Sequence, residues 1–477
     1  MKNARNFYIN GQWVAPVTAN DFPVIDPSNE EVCETISLGS ADDADAAVAA
    51  ARAAFDGWSN TPVADRISAL QRVRDIYEAR AEDMARAISL EMGAPIDLAR
   101  QQQVSAGTWH IDGFLDAAKS FEWDHPLGAH APGERIFHEA IGVCALITPW
   151  NWPMNQIVLK CAPALLAGCT MVLKPSEIAP LSGILFAEIV DAAGIPAGVF
   201  NMVNGDGPGV GSTLSAHPDV DMVSFTGSTR AGRLISIAAA DTIKRVSLEL
   251  GGKGANIIFA DAAANAVKSG TIRCFRNTGQ SCNAPTRMMV ERSRYEEAVE
   301  IAAATAAATT VGPAHEEGRH IGPAVSEVQF NKIQALIQTG IDEGARLVAG
   351  GTGRPGNLNR GYYIRPTVFA DVTPDMTIYH EEIFGPVLSI IPFEDEAHAI
   401  QMANDTPYGL TNYIQTTDKG KLRRVARAVR SGMVEGNGVG FGKGSPFGGF
   451  KQSGNGREGG AFGLHEFLEV KTVSDWD

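Results

Sequence analysis

The sequence predicts an α/β protein built on parallel sheets, and two observations carry that prediction. Short apolar runs, "IGVCALI" (141–147), "CTMVLK" (169–174), "GVFNMVN" (198–204) and "VDMVSF" (220–225), alternate with stretches of helical character. A run without polar alternation suits a strand buried on both faces, which places helices above and below a parallel sheet. A second set follows Glu249, namely "ANIIFA" (255–260), "MMVERS" (288–293), "VLSIIPFE" (387–394) and "TNYIQT" (411–416), and predicts a second α/β domain.

The elements follow in chain order. The first third reads helical. Ser40, three residues before Asp43, is a capping-box-like start for an alanine-rich helix over 40–58. Apolar residues at helical spacing over 64–93, closed by Gly93, predict another. Residues 119–139 are polar and carry Pro126 and Pro132, so they read as an excursion from the main body. The glycine-rich stretch from Gly436 to Gly460 leads to a last strand in "HEFLEVKTV" (465–473). No internal repeat of fixed period is found.

Composition excludes several function classes. With 477 residues, 44% of them apolar, the chain can bury a substantial core. A formal charge of −15 speaks against nucleic acid and anionic membrane surfaces as partners, since both need basic patches. No run reaches the roughly 20 apolar residues that span a bilayer. The opening "MKNARNFYINGQWV" lacks the apolar core of a signal peptide, so a cytoplasmic location is expected. Six cysteines without a CxxC pair argue against a disulfide scaffold. The ten histidines offer no HExxH, and "YHEEIFGP" (379–386) has no second nearby His or Cys, so no metal is expected.

Several segments carry possible chemistry. In "FRNTGQSCNAPTR" (275–287) Cys282 sits among small and polar residues, whereas a structural thiol prefers apolar neighbours; it is a nucleophile candidate. "TGSTRAG" follows a strand, with Gly227 and Gly232 flanking Ser228 and Thr229. Strand, glycine turn and helix start make an anion site, though such a turn is often only a turn and the GxGxxG fingerprint is missing. "NGDGPGVG" (204–211) looks nucleotide-like, but its alternate glycines and its proline fit a loop after a strand equally well. In "VLKPSEIAP", Pro175 ends a strand and directs Lys174 and Glu177 off its carboxyl end, where ligands of open sheets bind. A carboxylate there accepts from a ribose 2′-OH and repels a 2′-phosphate; the bland alternative is a solvated pair. "ITPWNWP" (147–153) holds Asn151 between tryptophans and prolines, either as a rigid amide donor for an oxyanion or as the cap of the next helix. "SLELGGKGAN" (247–256) sets Glu249 before paired glycines, a general base if buried.

Taken together, "ITPWNWP", "KPSE", "FTGSTRAG", "LELGGK", "FRNTGQSC", "EEIFGPV", "YGLT" and "SPFGGFKQSGNGRE" resemble the aldehyde dehydrogenase superfamily in order and spacing, over nearly the entire chain. The resemblance implies that Cys282 is the nucleophile, Asn151 the oxyanion donor, Glu249 the base for thioester hydrolysis and Lys160 a proton-relay lysine. It implies cofactor contacts from Thr148, Pro149, Trp150, Lys174, Ser176, Glu177, Gly207, Gly211, Gly227, Ser228, Leu250, Glu382 and Phe384. The implied cofactor is NAD, preferred over NADP because of Glu177.

The implied reaction is oxidation of an aldehyde to the acid. Branches of the family that pass the acyl group to coenzyme A often lack a carboxylate at Glu249, so hydrolysis is expected. A coenzyme A-acylating semialdehyde dehydrogenase and a non-catalytic binding protein on the same fold are the alternatives. The implied architecture is a Rossmann-type dinucleotide domain (1–118 and 140–251), a catalytic domain (252–445) and a small β bridging extension (119–139 and 446–477) that makes a homodimer or homotetramer. Trp152, Phe441 and Phe447 are candidates for lining the substrate tunnel. Arg276 and Arg287 are the arginines nearest Cys282 in sequence, and whether either holds a substrate carboxylate stays open.

Overall fold

The structure is a computed structural model and describes residues 1–476. Two seven-stranded sheets dominate it. In the first, strands Phe200–Met202, Thr170–Lys174, Val143–Ile147, Met222–Thr226 and Arg245–Glu249 run parallel in that spatial order, and the antiparallel hairpin Phe7–Ile9/Gln12–Val14 extends the far edge. Four of the five parallel strands are buried at nearly every position, which explains their unalternating sequences. Chain order reverses direction between Val143–Ile147 and Met222–Thr226. That reversal is the switch point at which doubly wound sheets bind ligands, outside the carboxyl ends of the strands.

The second sheet runs Arg346–Ala349, Thr367–Ala370, Val387–Phe393, Arg287–Glu291, Ala255–Ile258, Thr411–Gln415, Met433–Gly436, with only its first strand antiparallel. Cys282 and Glu382 lie in the loops that lead into its strands Arg287–Glu291 and Val387–Phe393. The carboxyl ends of the first sheet therefore meet the amino ends of the second, and residues 250–254 cross directly between them. Separate apolar cores lie on the faces of each sheet.

The excursion at 119–139 forms strands Asp124–Pro126 and Arg135–Ala140, and the latter pairs with the last strand, Leu468–Val473. Ser40 caps the helix Ala41–Ser59 in a complete capping box with Asp43.

Two expectations need correction. The single helix over 64–93 is two, Val63–Ala79 and Ala81–Met92, broken at Arg80. The apolar spacing runs through the break, while Arg80 turns out to bond Glu188 on another helix at 3.0 Å. Nor is the first third all helix, since four strands precede residue 40. The first two are joined by Asn10-Gly11 with φ of 52° and 74°. Asn-Gly is the pair that a two-residue hairpin turn with both central φ positive demands, so that hairpin was readable in "YINGQWV".

Candidate active site

The thiol loop is held by backbone geometry that few residues adopt. Asn277, Thr278 and Gly279 take φ of 52°, 58° and 71° in succession, and all three are buried. A β-branched residue at positive φ is a strained conformation that its surroundings must impose. Here Thr278 donates from Oγ1 to Gly322 O (2.9 Å), and a Cβ at Gly279 would lie 2.0 Å from Gly385 O. The turn delivers Gln280, Ser281 and Cys282 to the mouth of the second sheet. Cys282 is partly exposed, and burial of its sulfur, then the charges of Glu382, Glu249 and Glu458, push the thiol up.

Asn151 does not cap the helix that follows it. Trp152 occupies the cap position of Pro153–Ala167 without a side-chain bond, and Pro153 starts the helix with no N–H to satisfy. The Asn151 amide instead donates to Gln280 O at 3.1 Å, two residues before the thiol. The Trp152 indole N–H donates to Ser281 Oγ at 2.7 Å, so the tryptophan has the partner its burial requires.

A buried acidic cluster faces this loop. Glu249 ends the strand Arg245–Glu249, is 3% exposed, and neither carboxylate oxygen has a partner. Burial first, and the neighbouring Glu458 second, hold its carboxyl well above the usual range, against the pull of Lys160. Lys160 donates to Glu458 Oε1 at 2.6 Å, both side chains being almost fully buried. The glycine-rich tail builds the wall opposite. Phe447 and Glu458 exchange two backbone hydrogen bonds of 2.7 Å, and a Cβ at Gly448 would stand 2.7 Å from Glu249 Oε1, so only glycine leaves that carboxyl its place. Phe441, on the loop before, is 43% exposed.

The carboxyl ends of the first sheet shape the other wall. Lys174 is buried and donates to Pro175 O at 3.0 Å, to Gly205 O, and to Glu177 at 3.5 Å. Glu177 stays partly exposed, and Ser176 accepts from Ile178 N–H at 3.3 Å. Thr148 N–H closes the turn onto Lys174 O (3.1 Å), whereas its buried hydroxyl has no partner. Ser228 caps the helix Thr229–Ala239 by accepting from Ala231 N–H (3.3 Å). At Gly232 a Cβ would meet Leu250 at 2.7 Å. "NGDGPGVG" becomes a short π-helical turn, Gly207–Gly211, capped by Asp206. Gly207 and Gly211, with Ile147, Phe225, Ala231 and Leu234, border a cavity of about 290 Å³ at the switch point.

Between the walls lie Trp150 and Phe384, whose rings meet edge to face at 5.5 Å, with Phe384 at φ 59°. Glu382 accepts from Gly252 N–H at 2.9 Å, and burial raises its carboxyl to about 7. Lys253 beside it is lowered to about 7, by burial first and Arg287 second. Arg287 is fully buried, with Nε, Nη1 and Nη2 donating to the carbonyls of Lys253, Met402 and Ala403, so it presents no surface to a substrate; Arg276 is exposed. Among the described residues, no three His, Cys, Asp or Glu side chains converge to hold a metal.

Sequence reasoning missed Glu458, Lys253, Asn277 and Gln103. The first three sit inside segments it had singled out, "SPFGGFKQSGNGRE", "LELGGK" and "FRNTGQSC". Gln103, in the polar run Gln101–Gln102–Gln103, gave no signal of being buried.

A nucleophile candidate and a partner-less buried carboxylate stand between two sheets, beside a switch-point cavity of the first, an arrangement suited to covalent catalysis with a nucleotide-sized ligand. The chain belongs to the aldehyde dehydrogenase family, whose model matches residues 13–473. It is 51% identical, over the full length of both chains, to 3-succinoylsemialdehyde-pyridine dehydrogenase of a Pseudomonas species. Its structure is similar to that of an aldehyde dehydrogenase from Bartonella henselae (TM-score 0.98, 59% identity, 99% of each chain). It is also similar to a mutant of aldehyde dehydrogenase C from Pseudomonas syringae in complex with NAD+ and octanal (TM-score 0.98, 49% identity, 100% of this chain and 98% of that one).

Proposed function

We infer that the protein oxidises an uncharged aldehyde to the carboxylic acid with NAD+, through a covalent bond to Cys282. The observation that carries this reading is Glu249, a buried carboxyl with both oxygens free in the wall that faces the thiol loop. A buried, unpartnered carboxylate whose proton affinity is raised is a stronger general base than an ordinary one. The cavity of about 290 Å³ beside Gly207 and Gly211, with Glu177 partly exposed at the strand end, fits an adenosine. Ser228 and Gly227 at a helix start fit the pyrophosphate, and Thr148, Pro149, Trp150, Lys174, Ser176, Leu250, Glu382 and Phe384 complete the cofactor contacts.

The Cys282 thiolate attacks the aldehyde carbon. Its pushed-up thiol needs a base for this, and a neighbouring carboxylate takes the proton. Asn151 Nδ2–H and the Cys282 N–H receive the oxyanion, each donor lowering the barrier by about 3–4 kcal/mol. Trp150, Glu382 and Phe384 would hold the nicotinamide of NAD+, which would supply the hydride acceptor needed for the Cys282 thiohemiacetal to become a thioester. Glu249 then takes a proton from the water that attacks the thioester carbon, the C–S bond breaks to release the carboxylic acid and the Cys282 thiolate, and Lys160 with Glu458 passes the Glu249 proton onward. Trp152, Phe441 and Phe447 line the approach. An uncharged substrate is favoured because Arg287 is fully buried and out of a substrate's reach, and octanal and a pyridine semialdehyde appear in the names of relatives. NAD+ is preferred to NADP+ because Glu177 repels a 2′-phosphate.

The domain division expected from the sequence, a cytoplasmic location and a homodimer or homotetramer are part of this reading. For the assembly, the support is the outer strand Leu468–Val473, mostly exposed and paired on one side alone. Among the described residues, no helix is long and apolar enough to cross a membrane.

The test is NADH absorbance over a panel of aldehydes varying separately in length, charge and aromaticity. Uncharged aldehydes of moderate length should give the highest kcat/KM, and Cys282→Ala should give none. Acyl-CoA formed when coenzyme A is added would replace hydrolysis with acyl transfer, and comparable kcat/KM with NADP+ would overturn the cofactor preference.

A further inference from the structure

The helix Ile96–Leu98 continues into a π-helical segment, Ala99–Val104, before regular α-helix resumes over Ser105–Ser120. A π segment is unfavourable in a helix and recurs where function needs a side chain redirected. Here the surroundings maintain it. The Tyr77 hydroxyl donates to Val104 O at 2.8 Å, and Gly107 makes room, since a Cβ there would lie 2.5 Å from that hydroxyl. The side chain that the segment turns inward is Gln103, with no exposed surface.

Gln103 Nε2 donates to Asn151 O at 3.1 Å and to Asn277 Oδ1 at 3.3 Å, while its Oε1 has no donor. Asn277 Nδ2 donates to Asn151 O at 2.9 Å and to Gln280 O at 3.2 Å. Asn151 Nδ2 closes the ring on Gln280 O at 3.1 Å. Three side-chain amides and the Gln280 carbonyl thus join three separate segments, two of which, at Asn151 and at the Cys282 turn, carry groups of the proposed reaction.

We propose that Gln103 is a positioning residue, which fixes the peptide plane of Asn151 and the strained Asn277–Thr278 turn so that the oxyanion donor and the thiol keep one register. The proposal rests on the oxyanion role of Asn151. Gln103 touches neither substrate nor cofactor in this account and acts wholly through Asn151 and Asn277.

Gln103→Met keeps the volume and removes the amide, and Asn277 Nδ2 still satisfies Asn151 O. Single-turnover NADH formation at saturating aldehyde and NAD+ should slow roughly 10- to 100-fold, the range for a misplaced group or weakened oxyanion donor. The KM for aldehyde should stay within about twofold, and Cys282 alkylation by iodoacetamide and Tm should match wild type, a split that a packing role would not give. Adding Gln103→Met to Asn151→Ala should slow the reaction no further than Asn151→Ala alone. A wild-type rate in Gln103→Met, a fully additive double variant, or a joint fall of Tm, alkylation and rate would overturn the proposal. If Asn151→Ala itself reacts at the wild-type rate, the oxyanion reading fails first. A slow Asn151→Ala beside a fast Gln103→Met removes Gln103 alone.

Discussion

The two walls of the cleft treat charge in opposite ways. On the wall built from the first sheet's strand ends, the buried ammonium of Lys174 meets two carbonyls and Glu177, so its charge is answered by the protein itself. On the wall facing the thiol, Glu249 is just as buried and has no partner for either oxygen, because the lysine beside it gives its hydrogen bond to Glu458. A compensated charge can orient a ligand without changing its protonation. An uncompensated buried carboxylate holds a proton more tightly than an ordinary one, which makes it the better proton acceptor. Under the proposed function the contrast separates a wall that binds from a wall that reacts, and it can be broken at several points.

The largest effects belong to the reacting wall. Cys282→Ala should reduce NADH formation to the blank rate, while NAD+ still raises the Tm as in wild type; loss of that rise would show that the binding wall depends on the thiol. Glu249→Gln should keep a burst of about one NADH per site and lower steady turnover by about 10²–10⁴. Turnover like wild type without a burst would mean the unpartnered carboxyl is no base. Because burial and Glu458 raise the Glu249 carboxyl, the deprotonated base accumulates only above the pH range of an ordinary carboxylate, so kcat should climb with pH over that higher range. The Gln variant should lose that rise.

Glu382 tests whether a raised carboxyl alone marks the reacting wall. Its carboxyl sits at about 7 against 4.5 for an ordinary glutamate. Below about pH 4.5 folded and unfolded chains are both protonated there. As pH rises toward 7 the unfolded chain ionises first, so the folded state holds the extra proton and stability falls. Above 7 the deficit is constant, at most about 3 kcal/mol and less for the solvent that reaches the side chain. Glu382→Gln, whose amide oxygen can still accept from Gly252 N–H, should therefore be more stable than wild type in urea at pH 8 and equal to it at pH 4.5. Equal stability at both would place Glu382 among the compensated charges.

How much of this was readable beforehand follows the same division. Four of the five parallel strands of the first sheet announced themselves as apolar runs, since burial on both faces leaves no alternation to misread; the fifth, Arg245–Glu249, is only half-buried at its start and made no such run. Cys282, Asn151 and Glu249 stood out because each is a reactive or polar residue among glycines, prolines or tryptophans. What the sequence did not show are long-range relations. Glu458 lies 298 residues from the Lys160 it bonds, and Gln103 lies 48 from Asn151 and 174 from Asn277. No local pattern encodes such distances. Arg80 and the Asn10-Gly11 hairpin differ in kind. The first break is made by tertiary contacts, while the second had a local signal that the helical reading of the first third passed over.

A smaller effect is expected on the binding wall. Glu177→Ser removes one negative charge near the ribose and frees Lys174 of its carboxylate partner. The ratio of kcat/KM for NADP+ to that for NAD+ should rise roughly tenfold, the scale of about 1.4 kcal/mol for one partly solvated charge. No change in the ratio would mean that Lys174 neutralises Glu177 so fully that it no longer discriminates.

The smallest change sits where the walls meet. Trp152→Phe keeps an aromatic ring beside the thiol loop and deletes the donor to Ser281 Oγ, one hydrogen bond worth about 0.5–1.5 kcal/mol. If that bond aligns the residue next to Cys282, Trp152→Phe and Ser281→Ala should each lower kcat by roughly two- to tenfold for short and long aldehydes alike. The double variant should lose no more than either single one, because both remove the same contact. A loss confined to long aldehydes would instead make Trp152 a matter of tunnel volume, and would move it from the reacting wall to the part of the cleft that only selects.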